Sequence, residues 1–522
     1  MLRQNLLFFD CNMSIKFDNL KQVSAECFKD LHLDKIIERI VSQEFGAYED
    51  LKPLFYCPLK QIEDIKYRQS IIQDIQTENL YLKLKQFTTA IKSFERQIKN
   101  LKTTVGKIKN GRKNYFSYGI CLDAIESYCK CIFDLSVYLK QKSIKSKGLI
   151  GLSDYIESYC KAGTINKMYE DAEKIRNTLN KIHYGMLIHN DKVFIRPYEN
   201  QKNLSDEVNR IFARFKEMEN IDIELPNVNT KFKQEIESDI IEILADWYRE
   251  EFKNFFSFCM ENIDFIDEGI LQFSNELRFY FAWLEFISPL QNEGLSFCLP
   301  NMCETSENTF CYNFFDVHLA LKLLSEKALP VCNDFELHNN EKVFVITGPN
   351  QGGKTTFCRA FGQLHYFALL GYSVPGTSAS LLLCNNILTH FEREENIKNL
   401  SGKLMDDLKR LKPIIEKANS KSLFIINEIF SSTTLLDALT LGKRFLDSIF
   451  KRGNIALYVT FIDELSKYSE QIVSLKSLTD SKNPEKRTYK IIREKADGKA
   501  YAVSLAEKYG LTYKQITAVL KK

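Results

Sequence analysis

A glycine-rich loop stands between an apolar run and a helical pattern at residues 343–363, VFVITGPNQGGKTTFCRAFGQ. Gly348 is followed by four residues and then by Gly353-Lys354-Thr355, the spacing of a loop whose backbone N–H groups cradle phosphates at the start of a helix. In such a loop Lys354 reaches the β- and γ-phosphates and Thr355 ligates Mg²⁺. ATP and Mg²⁺ are therefore the predicted ligands. The residues predicted to bind ATP are Gly348, Pro349, Asn350, Gln351, Gly352, Gly353, Lys354, Thr355 and Thr356.

A polar pair, Asn427-Glu428, ends a second apolar run about 70 residues later, SLFIINE. Glu428 is the catalytic candidate, because a carboxylate there can orient the attacking water. Asn427 stands where a P-loop ATPase usually carries the aspartate that holds a water on Mg²⁺. It keeps an acceptor oxygen but lacks the negative charge, and losses of this kind typically cost ~10–100-fold in metal affinity or activity.

The sequence therefore predicts intact ATP binding with slow hydrolysis, so the chain is a slow ATPase or a nucleotide-held switch. Two alternatives stay open. Glu428 can instead cap the following turn, or a nearby carboxylate can compensate for Asn427 and leave turnover ordinary.

The composition is that of an ordinary soluble protein, and a length of 522 residues predicts two to four domains. The fourteen cysteines include no Cys-x-x-Cys pair, which disfavours a zinc site and favours small core residues in a reducing compartment. No stretch approaches the ~18 apolar residues of a membrane span. We expect a cytoplasmic protein without a membrane partner.

Helical periodicity dominates from about residue 18 to 325. One β-hairpin interrupts it, at residues 185–198, where the chain could reach the tip of an arm and return. After about residue 326 short apolar runs alternate with helical patterns, which is typical of an α/β layer with a largely parallel sheet. The predicted fold class is a multidomain protein with a mainly α-helical first part and a C-terminal α/β P-loop domain.

Several segments resemble the MutS family, a branch of the ABC-type ATPases. TGPNQGGKTT resembles the family's TGPNxGGKS/T loop, and LSGKLMDDL, residues 400–408, occupies the place of its signature motif. NEIFSSTTLLDA is similar to the family's D-E-I-G-R-G-T-S-T-x-D-G, and FYCPLKQIEDIKYRQ is similar to the opening of its helical core. The chain departs from the family at Asn427 and at Thr460-Phe461, where the family has Thr-His beside the γ-phosphate.

The resemblance implies a helical core or lever, a clamp-like arm inserted into it, and an ABC-type ATPase domain that forms dimers, here expected to be homodimers. Ser401 and Gly402 would approach the γ-phosphate held by the other subunit. The neighbourhood of the adenine is expected at 331–335. The predicted domains are a tail at 1–20, the first part of the core at 21–164, the arm at 165–250, the return of the core at 251–325, and the ATPase domain with C-terminal dimerisation helices at 326–522.

Two groups of basic side chains are candidates for contact with the backbone of duplex or branched DNA, without sequence specificity. Residues 83–113 carry ten basic residues against one acid, Glu95. The alternative is a solvated helix face. The DNA candidates are Lys99, Lys102, Lys107, Lys109, Arg112, Lys113, Arg196 and Arg210.

The favoured hypothesis is a nucleotide-gated dimeric clamp related to mismatch repair that senses DNA structure. Direct mismatch reading is not expected, because the 20 to 45 residues before the helical core are too few for the family's mismatch-recognition domain. We also expect no C-terminal nuclease-like domain. The alternatives are an ATP-binding switch or scaffold with little hydrolysis, and a MutS relative that acts on ribosomes or RNA.

Overall fold

The computed structural model describes residues 5–7, 25–42, 48–105, 115–189, 192–199, 230–305, 307–392, 403–480, 487–496 and 517. The chain divides into two compact units. The sheet unit comprises Met1–Thr77, Ser146–Gly148 and Glu276–Lys522, and the helical unit comprises Glu78–Lys145 and Leu149–Asn275. The domain limits expected from the sequence stay predictions.

The described helices are α1 (Ala25–Asp30), α2 (Leu33–Val41), α3 (Ile62–Ile75), α4 (Glu78–Val105), α5 (Tyr115–Lys140), α6 (Lys147–Lys161), α7 (Thr164–Asn180), α8 (Thr230–Trp247), α9 (Arg249–Glu261), α10 (Glu268–Asn292), α11 (Val317–Ser325), α12 (Lys354–Leu369), α13 (Lys403–Lys417) and α14 (Leu435–Arg452). Two 3-10 helices cover Glu49–Tyr56 and Asp463–Lys467.

The described strands are β1 (Tyr184–His189), β2 (Lys192–Pro197), β3 (Phe297–Cys298), β4 (Asn301–Cys303), β5 (Phe310–Phe314), β6 (Asn333–Glu336), β7 (Val343–Thr347), β8 (Val374–Pro375), β9 (Ser378–Leu382), β10 (Asn386–Phe391), β11 (Ser422–Asn427), β12 (Ile455–Val459), β13 (Ile472–Thr479) and β14 (Arg487–Arg493). In the part of the chain that the structure describes, no helix is long and apolar enough to cross a bilayer.

Helix α5 is the centre of the helical unit and contacts α4, α7, α8 and α9. Its apolar residues recur on more than one face, so a single neighbour could not bury them all. Tyr128 packs against Phe265, with ring centroids 5.3 Å apart. The unit also carries Trp247, which is partly exposed at the end of α8.

The predicted hairpin is confirmed. Strands β1 and β2 pair antiparallel from Tyr184 opposite Pro197 to His189 opposite Lys192. Leu187 and Phe194 face each other across this pair, and both side chains are exposed.

The sheet unit is built on six strands in the order β10-β11-β12-β7-β13-β14. All neighbouring pairs are parallel except β13–β14. Every residue of β7, β11 and β12 is buried, as expected for parallel strands covered on both faces. The predicted α/β layer with a largely parallel sheet is confirmed.

A second sheet of four strands, in the order β4-β9-β5-β6, lies in the same unit, and β3 pairs with β8. Strands β3, β4 and β5 are not predicted from the sequence, because periodicity predicts a mainly helical structure before residue 326. These strands are only two to five residues long, too short to show an alternating pattern. Strands β4 and β5 pair with β9, far along the chain.

Two buried contacts set the position of the P-loop helix α12 within the sheet unit. Gln363 donates to the carbonyl of Leu31 (3.0 Å) and to Asp316 (2.9 Å), and its amide oxygen accepts from Val317 N–H (2.9 Å). These bonds join α12 to the start of α11. Trp283 stacks on Tyr372 at 5.0 Å with an interplanar angle of 4°.

We expect acid to destabilise the sheet unit through His365, which is buried in α12 beside Phe361. Burial lowers the pKa of His365 from 6.5 to about 4. The folded state therefore resists a proton that the unfolded chain accepts, so stability is present above pH 6.5 and is lost as the pH falls toward 4. Wild type should lose about 3 kcal/mol more than His365→Gln over this interval, measured by urea unfolding.

The exposed His338→Gln is the matched control and should follow wild type. Equal losses in wild type and His365→Gln would contradict the prediction.

Candidate functional site

The loop at 348–353 has the backbone geometry that close approach to phosphates requires. Gly348 and Gly353 have φ of 123° and 92°, which favour glycine. Gly352 lies against β13. Ser477 Oγ donates to the carbonyl of Gly352 (2.7 Å), and a Cβ at position 352 would lie 2.2 Å from Ser477 Oγ. The loop is therefore a cradle with no space for side chains at its base, and it opens α12.

A cavity of about 600 Å³ extends from this loop. One end is polar and consists of Gln351–Thr356 with Glu428. The other end is largely apolar, and is lined by Phe314, Phe315, Leu319, Leu323, Leu329, Pro330, Val331 and Tyr489. A polar end with backbone N–H groups and an apolar end suit the phosphates and the base of a nucleotide, and the volume lies in the range of ligand sites.

The Lys354 ammonium is enclosed on several sides. It donates to the carbonyls of Gly348 (2.8 Å) and Pro349 (3.2 Å). It also lies 3.7 Å from Glu428 Oε1 and 4.3 Å from the centroid of the Phe461 ring. Burial lowers the pKa of Lys354 and outweighs the opposing attraction of Glu428. An aromatic ring therefore faces this lysine at the position where the resemblance to the MutS family implies a histidine.

Glu428 follows the last residue of β11 and has φ of 58°, a strained value for a residue other than glycine. Its N–H donates to Val459 O (3.1 Å), which holds the turn against β12. Burial raises the pKa of Glu428, Lys354 lowers it, and the neighbouring carboxylate of Glu392 raises it further. The Glu428 side chain lines the cavity and lies 3.7 Å from the Lys354 ammonium.

Thr355 and Asn427 meet as the sequence predicts for a magnesium site. Thr355 Oγ1 donates to Asn427 Oδ1 at 3.4 Å. A hydroxyl and an amide oxygen are ligands or water acceptors that suit Mg²⁺, and the carboxylate of Glu428 lies at the same edge. The residues present therefore fit ATP with Mg²⁺, with a neutral oxygen at Asn427 where charge is usual.

The structure describes only some of the other predicted residues. Lys99 is exposed on α4, and Arg196 is exposed on β2. Lys102, also on α4, pairs with Asp264. Those outside the described residues are Ser401, Gly402, Lys107, Lys109, Arg112, Lys113 and Arg210.

Two residues of the site had no signal in the sequence. Tyr489 lines the cavity with φ of 58°, and its carbonyl accepts from Asn333 Nδ2 (3.2 Å). Glu392 follows β10, whose neighbour in the sheet is β11. Both are brought to the site by strand order, which no short motif reports.

We expect Gly352→Ala to weaken nucleotide binding, because the new methyl group would lie 2.2 Å from Ser477 Oγ and 3.0 Å from Pro349 O. Overpacking of this kind typically costs about 1–3 kcal/mol. Titration with a fluorescent ATP analogue measures the loss. Adding Ser477→Ala should restore part of the affinity. Gly119→Ala, at a glycine with open space around it, is the control, and equal effects of both alanines would contradict this account.

Comparison with known proteins shows that the segment containing the site matches a known protein family. The family model for MutS domain V matches residues 344–521. The chain is 28% identical over 204 residues to the DNA mismatch repair protein MutS of Shouchella clausii, a match that covers 38% of this chain and 23% of that protein. It is 29% identical over 226 residues to the protein of the same name from Orientia tsutsugamushi (strain Boryong), covering 41% and 25%.

The DNA mismatch repair protein MutS of Thermotoga maritima is 26% identical over 183 residues, covering 34% of this chain and 23% of that protein. The chain thus spans about a quarter of the length of these curated relatives. The match of the family model, residues 344–521, includes the loop at 348–353 together with Asn427 and Glu428.

Proposed function

We infer that this chain belongs to the MutS family, and we propose on that basis that it is a nucleotide-gated DNA-binding protein, dimeric, with slow ATP hydrolysis. The observation that carries the proposal is the convergence of Lys354, Thr355 and Glu428 at one end of a cavity of about 600 Å³. We propose that it senses DNA structure rather than mismatches directly.

The residues of the loop would hold the nucleotide. Backbone N–H groups at the start of α12 would donate to the phosphates, and Lys354 would exchange the carbonyls of Gly348 and Pro349 for phosphate oxygens. Thr355, and Asn427 through a water, would hold Mg²⁺, which would supply positive charge to the phosphates. Glu428 would accept a hydrogen bond from the attacking water and so orient it.

Two departures from the family support slow turnover. Asn427 brings a neutral oxygen to the magnesium side, and Phe461 brings an apolar ring to the Lys354 side. The second also leaves out the histidine that the family has beside the γ-phosphate, whereas Lys354 and Thr355 of the loop are kept. The same two residues favour the second candidate function, a switch that ATP holds in one state with little hydrolysis.

The proposed dimer is supported by large apolar side chains that are exposed on α13 and α14. Leu435 and Leu436, at the start of α14, are 64% and 73% exposed, and Met405 on α13 is 52% exposed. Large apolar side chains left in solvent favour a protein contact where they lie. A second copy of the chain, with its Ser401 and Gly402, is the proposed partner.

We expect Glu428→Gln to separate binding from hydrolysis. The amide keeps the size of the side chain but cannot orient the water as a carboxylate does, so turnover should fall about 10²–10⁴-fold while affinity for an ATP analogue is kept. Phosphate release with and without duplex DNA measures turnover.

The exposed Glu464→Gln in the 3-10 helix is the matched control and should hydrolyse ATP as wild type does. If wild type binds ATP and dimerises but does not turn over, the switch is the function. If wild type binds no nucleotide, the proposal fails.

DNA binding should be electrostatic and depend steeply on salt. The exposed Lys99 and Arg196 are the described candidates for phosphate contact, so Lys99→Ala and Arg196→Ala should each reduce the slope of log K against log salt by about 1. Lys102→Ala should have a smaller effect, because Asp264 already pairs with that ammonium. Fluorescence anisotropy with duplex and branched DNA measures these slopes.

Lys174 on α7 pairs with Asp171 (3.0 Å), and Lys174→Ala is the control. Binding that does not respond to salt would exclude this interface. Tighter binding to RNA than to either DNA would support an RNA-acting relative instead.

A further inference from the structure

We propose that Glu392 is a positioning residue of the hydrolysis site, which supplies from the neighbouring strand the negative charge that Asn427 lacks. The inference rests on the proposed function, because it concerns the same ATP and Mg²⁺ site. It assigns a role to a residue outside the loop, the Asn427-Glu428 pair and the signature segment.

Strand register brings Glu392 to the site. Strands β10 and β11 are parallel, and Phe391 lies opposite Asn427. Each of these residues is the last of its strand, so the next residues, Glu392 and Glu428, leave the sheet side by side at the same edge. A parallel pair without a bulge at this point leaves both carboxylates at the phosphate end of the sheet.

The two carboxylates are neighbours at the level of their side chains. The carboxylate of Glu392 is near enough to that of Glu428 to raise its pKa. Ser431 Oγ donates to Glu392 Oε1 at 3.4 Å, which ties this carboxylate to the turn that follows Glu428. Two carboxylates so close repel each other unless a proton or a cation lies between or beside them.

The number of negative charges at this edge of the sheet is what Glu392 changes. An aspartate-glutamate pair at the end of β11 would carry two negative charges, whereas Asn427 and Glu428 carry one. Glu392 restores the second charge from β10. Because Phe391 lies opposite Asn427, Glu392 follows one residue further along the same edge of the sheet. Glu392 and Glu428 would together favour the binding of Mg²⁺, because a cation beside them would relieve the repulsion between the two carboxylates.

The simpler interpretation is that Glu392 is a solvated side chain, since it is exposed and has a serine partner. In that case its charge would not matter for Mg²⁺. The two accounts differ in one respect that can be measured, which is whether a charge at position 427 can replace the charge at position 392.

The experiment is a double-mutant cycle of Glu392→Gln and Asn427→Asp in the full chain at constant pH. The readout is the ratio of the dissociation constants of a fluorescent ATP analogue without and with Mg²⁺, which reports the cation without requiring turnover. Glu392→Gln should reduce this ratio about tenfold, the lower end of the effect typical of residues beside a metal site. Adding Asn427→Asp to that variant should restore it, and ATP turnover should follow the same order.

Glu416→Gln, an exposed carboxylate on α13, is the matched control and should leave the ratio unchanged. Glu392→Asp, which keeps the charge, should lie between wild type and Glu392→Gln and shows whether a loss reflects charge or folding. An unchanged ratio in Glu392→Gln, with normal nucleotide binding by wild type, would overturn this inference alone. So would a loss that Asn427→Asp does not rescue. Failure of wild type to bind the analogue would overturn the proposed function as well.

Discussion

The candidate site depends on the parallel register of four strands. Phe391, Asn427, Val459 and Ile346 form one row across β10, β11, β12 and β7. Each is followed by a residue at the same edge, where the carboxyl ends of parallel strands meet. Slipping one strand by a single residue would turn its side chains to the other face and remove its contribution to the site. Burial on both faces makes such a slip costly, because every residue of β7, β11 and β12 is buried.

The structure could be predicted from the sequence where it depends only on residues that are close together in the chain. The spacing of Gly348 and Lys354 predicts the loop, and the alternation on both sides of a turn predicts the β1–β2 hairpin, because both depend on neighbours in the chain. Glu392 and Tyr489 could not be found in this way, since their place depends on which strands are adjacent in space. The same is true of the short strands β4 and β5, because the strand with which both pair, β9, lies far along the chain.

The Lys354 ammonium is held by uncharged groups as well as by the carboxylate of Glu428. Two carbonyls accept its hydrogen bonds, and the Phe461 ring contributes an attraction of electrostatic origin that is typically worth ~0.5–2 kcal/mol. Burial in such surroundings disfavours the charged form of the lysine, and for the same reason strengthens its attraction to any anion that enters. The strain at Glu428 belongs to the same arrangement, because the turn there points its carboxylate back toward the loop.

The distribution of tryptophan gives the chain a built-in optical label for each compact unit. The sequence contains two tryptophans. Trp283 is fully buried in the sheet unit and stacked on Tyr372, whereas Trp247 is 41% exposed at the end of α8 in the helical unit. An indole shielded from water emits at shorter wavelengths than one in contact with it. The blue and red edges of a single emission spectrum therefore report on different units, and melting of one can be watched independently of the other without any dye.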